Sequence, residues 1–69
     1  MQISTRNVIK GKVLKVEMGV INAEVVLEVA PGVELTGIIT KASAEKLGLA
    51  EGKEAYALIK ASEVMFGVE

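Results

Sequence analysis

A chain of 69 residues, 51% of them hydrophobic and with a net charge of −1, is one small domain, near the lower size limit at which a single core offsets the entropy of ordering the chain. It contains neither histidine nor cysteine, which excludes disulfides and the zinc, haem and iron–sulfur sites built on those ligands. Eight basic residues are interspersed among nine acidic ones, a pattern that disfavours non-specific binding to nucleic acid or an anionic membrane. Tyr56 and Phe66 are the only aromatic residues, so the apolar content is mainly Val, Ile, Leu and Ala, which favours β-structure. No apolar run approaches the roughly 20 residues of a bilayer span. Met1-Gln2-Ile3-Ser4-Thr5-Arg6 lacks the hydrophobic core of a signal peptide, so a soluble cytoplasmic protein is expected.

The first predicted strand, Val8 to Met18, is long and contains Gly11, where a bulge or bend is expected. After the Gly19-Val20-Ile21-Asn22 turn, the stretch from Asn22 to Ala30 alternates, with Ala23, Val25, Leu27 and Val29 on one face and Asn22, Glu24, Val26 and Glu28 on the other. Pro31-Gly32 supplies a turn. The stretch from Val33 to Thr40 alternates again, so the two segments read as a hairpin.

Between Thr40 and Gly48 the period changes. Ala42, Ala44, Glu45, Lys46 and Leu47 favour a short helix, with Thr40 or Ser43 as its cap and Gly48 at its end. Gly52 marks a turn into a strand from Glu54 to Lys60, and Val64, Met65, Phe66 and Val68 read as a short closing strand within Ser62 to Val68.

Five strands with one helix between the third and fourth is the element order of an all-β, OB-like Greek-key barrel, an order other small barrels can also carry. Val26, Ile38, Tyr56 and Leu58 fall among the polar residues of their strands. Both faces of the sheet are therefore partly apolar, and self-association is the expected way of covering them.

Two stretches carry chemistry. Ser4-Thr5-Arg6-Asn7 precedes the first strand and Lys60-Ala61-Ser62 ends the fourth. Each combines a cation, a hydroxyl and backbone N–H groups, the donors that hold a multiply charged oxyanion without a metal. Taken alone, Arg6 reads as a surface charge, Lys60 as an edge-strand charge that discourages aggregation, and Ser62 as a turn residue. Catalysis finds no support: no nucleophile stands beside a base, and the carboxylates lie mostly on alternating solvent faces. An OB-type nucleic-acid binder would need aromatic platforms in a basic groove.

Ser4-x-Arg6-Asn7 followed by Lys10-Gly11-Lys12-Val13, then Asn22-Ala23-Glu24-Val25, Ile38-Ile39-Thr40, Leu47-Gly48-Leu49 and Ile59-Lys60-Ala61-Ser62-Glu63-Val64-Met65, closely resemble the molbindins, the free-standing Mop members of the TOBE group of molybdate-binding domains. The resemblance covers nearly the whole chain and implies that residues 1–69 form a single oxyanion-binding domain. It implies an OB-like barrel that exchanges strands to form dimers and assembles as a homohexamer, a trimer of dimers. It also implies that the ligand is molybdate or tungstate, bound at subunit interfaces with no further cofactor.

On this resemblance the oxyanion site comprises Ser4, Thr5, Arg6, Lys60, Ala61 and Ser62, with Thr5 and Ala61 contributing only their backbone. A second candidate is the Gly19, Val20 and Asn22 turn, since one modest donor repeated around a symmetry axis makes a cage. The same turn is equally an ordinary hairpin connection. Gly37 stands where the family pattern carries a serine. The regulator and transporter relatives need a helix-turn-helix or a Gly-rich phosphate loop, and this sequence has neither.

Overall fold

Alternation along the first two-thirds of the chain produces an antiparallel meander, and a helical connection brings the fourth strand back beside the first. The computed structural model describes residues 3–69. The elements are β1 (Asn7–Met18), β2 (Asn22–Ala30), β3 (Val33–Thr40), α1 (Lys41–Leu47), β4 (Glu54–Ile59) and a 3-10 turn at Ala61–Glu63. The strands form one sheet in the order β3-β2-β1-β4, with every neighbour antiparallel.

β1 has two partners in succession. Its first half pairs with β4, from Asn7 opposite Ile59 to Lys12 opposite Glu54. Its second half pairs with β2, from Lys12 opposite Glu28 to Met18 opposite Ala23. The register shifts between Val13 and Lys15, which makes Leu14 the extra residue of a bulge and bends the strand where it changes partner.

Gly11, where a bulge or bend was expected from the sequence, is held to glycine by a close approach of β2. A Cβ there would lie 2.5 Å from the Glu28 carbonyl oxygen and 2.8 Å from Leu27 Cγ, so β2 crosses too closely for any side chain. Beside the bulge, the Val13 N–H donates to the Lys53 carbonyl and the Gly52 N–H donates to the Val13 carbonyl, each at 2.8 Å. These two bonds dock the connection that leads into β4.

α1 has both ends closed by local chemistry. The Ser43 N–H donates to Thr40 Oγ1 at 3.0 Å, which makes Thr40 the N-cap. Gly48 adopts φ 65° and ψ 34°, while the Gly48 and Leu49 N–H groups donate to the Glu45 and Ala44 carbonyls, a Schellman ending. Lys53 Nζ adds a bond to the Gly48 carbonyl at 3.0 Å, placing a cation at the negative end of the helix dipole. Ala44 is the face that α1 buries, joining Val13, Ala23 and Leu27 in the core.

Two expectations are corrected. Among the described residues there are four strands rather than five, and the sheet is open rather than closed into a barrel. Glu63 N–H to Lys60 carbonyl and Val64 N–H to Ala61 carbonyl bonds close the 3-10 turn directly after β4. The apolar tail beyond it has no ladder partner among the described residues, and Met65, Phe66 and Val68 are more than nine-tenths exposed. Its run of apolar residues suits that tail to a strand, but a strand exists only where another backbone completes its hydrogen bonds.

With the closing strand absent, an apolar groove of about 810 Å³ opens between the β3 and β4 edges, lined in part by Leu35, Ile39, Ala57 and Ile59. Ile38, Tyr56 and Leu58 remain substantially exposed, as the apolar residues on the polar rows of β3 and β4 implied. No helix among the described residues is long and apolar enough to cross a membrane.

Candidate functional site

Antiparallel pairing of β1 with β4 brings the two chemistry-bearing stretches together within one chain. Ser4-Thr5-Arg6 runs into the first residue of β1, and Lys60-Ala61-Ser62 leaves the last residue of β4, which is paired with it. Two side-chain bonds fasten them: Thr5 Oγ1 donates to the Ile59 carbonyl at 2.8 Å and Asn7 Nδ2 donates to the same oxygen at 3.1 Å. Exposure alternates along the first stretch, with Thr5 and Asn7 half-buried and Ser4 and Arg6 exposed.

The second stretch also presents its donors to solvent. Lys60 is extended, with φ −65° and ψ 131°, before the chain tightens into the 3-10 turn. The bonds that close that turn use the N–H groups of Glu63 and Val64, so those of Ala61 and Ser62 are not consumed by it. Two of the other cations are paired: Lys10 lies 3.6 Å from Glu54, and Lys15 lies 3.1 Å from Glu17. The hydrogen bond with Glu17 and that carboxylate's charge raise Lys15 above the ordinary lysine pKa. Arg6 and Lys60 enter no ion pair among the described residues. One end of the sheet thus presents two cations, the Ser4 and Ser62 hydroxyls and two N–H groups, a donor set suited to a tetrahedral dianion.

Asn7 is the member of this arrangement that sequence reasoning left without a role. The signal was its spacing, because residues two apart in an extended segment share a side. Thr5 and Asn7 therefore reach the same neighbour.

The Gly19, Val20 and Asn22 turn lies at the opposite end of β1. Its Gly19 N–H donates to the Asn22 carbonyl at 2.7 Å, so that donor is committed within the turn. The shallow hollow beside it is lined by Glu17 and Glu24 as well as Gly19 and Asn22, and their carboxylates oppose an anion in a single chain. Among the described residues no group of three or more acidic side chains is arranged to hold a metal ion.

The TOBE domain family model matches residues 3–66. Molybdenum-pterin-binding protein 1 of Clostridium pasteurianum is 54% identical over 65 residues, covering 94% of this chain and 96% of that protein. Among solved structures, MopII from Clostridium pasteurianum superposes with a TM-score of 0.91 at 48% identity, covering 97% of this chain and 100% of that one. The cytoplasmic molybdate-binding protein ModG, with molybdate bound, gives a TM-score of 0.92 at 43% identity, with all of this chain matching 49% of that one. These likenesses bear out the resemblance to molbindins found in the sequence motifs, and they extend to the fold. The chain belongs to the TOBE domain family.

Proposed function

We propose that this chain binds molybdate or tungstate between Ser4-Thr5-Arg6 and Lys60-Ala61-Ser62, and stores or buffers the oxyanion in the cytoplasm without catalysing a reaction. The observation that carries this reading is the pair of bonds from Thr5 and Asn7 to the Ile59 carbonyl, which set the two donor-bearing stretches side by side. Arg6 and Lys60 offset the dianion's charge, Ser4 and Ser62 donate through their hydroxyls, and Thr5 and Ala61 contribute backbone N–H groups. Relatives named for binding molybdenum-pterin or molybdate support the choice of ligand.

A dianion at an exposed sheet end is well hydrated, and a weak complex is all that a single chain would make. Enclosure by a neighbouring subunit lowers the local dielectric and ties binding to assembly. The functional unit in this reading is a strand-exchanged homohexamer, a trimer of dimers, in which a neighbour's backbone fills the groove between β3 and β4. The open groove and the exposed apolar tail support that assembly. The Gly19, Val20 and Asn22 turn serves as a second site only where copies of Asn22 converge around an axis, so that their amides outweigh Glu17 and Glu24.

Calorimetric titration with molybdate, tungstate, sulfate and phosphate tests the reading. Saturable heat with the first two, at concentrations where phosphate gives none, is expected. Absence of heat with all four would remove it.

A further inference from the structure

We propose that Thr5 and Asn7 are positioning residues whose convergence on the Ile59 carbonyl fixes the spacing between the two halves of the oxyanion site. The inference rests on the site proposed above and adds a role for two side chains that need not touch the anion. A carbonyl oxygen has two lone pairs. Here two side-chain donors from one short segment converge on the Ile59 oxygen, Thr5 Oγ1 at 2.8 Å and Asn7 Nδ2 at 3.1 Å. Ile59 is the residue immediately before Lys60, and Thr5 lies between Ser4 and Arg6.

The clamp therefore joins the backbones of the two donor stretches at the point where they leave the regular sheet. Asn7 opposite Ile59 is the last strand pair, so side chains take over the tie where the ladder stops. Without it, Ser4-Thr5-Arg6 is a strand terminus and would fray. Any oxyanion would then bear the entropy of ordering that segment.

A second effect is electrostatic. With fewer donors on it, the Ile59 carbonyl oxygen beside Lys60 would present more negative charge next to a dianion. Two donors on that oxygen neutralise part of its charge and hold it toward β1. A fixed spacing also discriminates by size: a rigid frame favours the larger molybdate over sulfate, whereas a loose one closes around either.

The test uses the full chain in its assembled form. Thr5→Val removes the hydroxyl at nearly constant shape, Thr5→Ser retains it, and Asn7→Ala removes the other donor, with circular dichroism and native mass spectrometry reporting fold and subunit number. Loss of one neutral hydrogen bond predicts molybdate affinity about 3- to 10-fold weaker in Thr5→Val and about 2- to 5-fold weaker in Asn7→Ala. Thr5→Ser should stay within about twofold of the parent, the margin left by its retained donor. The ratio of molybdate to sulfate affinity should fall in Thr5→Val and recover in Thr5→Ser.

Unchanged affinity and selectivity in folded Thr5→Val and Asn7→Ala would overturn the clamp. Arg6→Ala separates the two levels. If it weakens binding while the clamp variants bind normally, the site stands and the positioning role falls. If Arg6→Ala also binds normally, the site and its clamp fall together.

Discussion

Arg6 and Lys60 are surface residues by every measure of burial, yet they flank a pair of segments that side-chain bonds hold together. Removing either cation should leave the fold intact, because neither contributes to the core or to an ion pair among the described residues. In the proposed site each makes a charge-assisted bond, so Arg6→Ala or Lys60→Ala should weaken molybdate binding by about 1.5–3 kcal/mol in a calorimetric titration, with unaltered circular dichroism. Gly11 is the opposite case, a residue with no chemistry whose smallness the packing demands. Its absent Cβ would meet backbone at 2.5 Å, and backbone cannot swing aside as a flexible side chain does. Gly11→Ala should therefore lower stability by about 1–3 kcal/mol in urea unfolding while leaving the anion-binding groups in place.

Among the elements, those specified by local rules were readable from the chain, and those specified by a distant partner were not. The alternation from Asn22 to Ala30 and from Val33 to Thr40 matches β2 and β3, because their apolar rows line the inner face of the sheet and the Pro31-Gly32 turn joins them as a hairpin. α1 was legible from its ends: Thr40 caps it and Gly48 terminates it in the left-handed region. Thr40→Ala should destabilise the protein by about 1 kcal/mol, seen as a lower urea midpoint, with Thr40→Ser retaining most of the cap. The tail from Val64 to Val68 forms no strand among the described residues, because apolar residue types suit a segment to a strand without saying whether a partner is present. Gly11 misled because a strand glycine signals either a bulge or a close crossing, and only the path of β2 tells which. In the site, residue types suggested Ser4, Arg6, Lys60 and Ser62, but the tie between Thr5 and Ile59 spans 54 positions of sequence. No local pattern encodes such a pairing.

At the scale of the molecule, a small core stands beside a large exposed apolar surface. Val13, Ala23, Leu27 and Ala44 are the buried hydrophobic residues among those described, while Ile38, Met65 and Phe66 face solvent. If copies cover this surface, thermal stability rises with protein concentration, and native mass spectrometry finds a hexamer. Ile38→Lys is the discriminating variant. Position 38 is 68% exposed and stands opposite Glu24, so a lysine there is well accommodated in one chain and unfavourable in a dry interface. Smaller species with retained β-structure are expected, and an unchanged hexamer would show that this row lies outside the contacts. The two-partner course of β1 also constrains how such a chain tolerates insertion and deletion. Dropping one residue from β4 would turn its remaining side chains to the opposite faces and draw the Ile59 carbonyl away from Thr5 and Asn7. Changes of length are therefore better tolerated in the turns and the tail, and the register of β1 with β4 acts as a reading frame for the distance between the two halves of the proposed site.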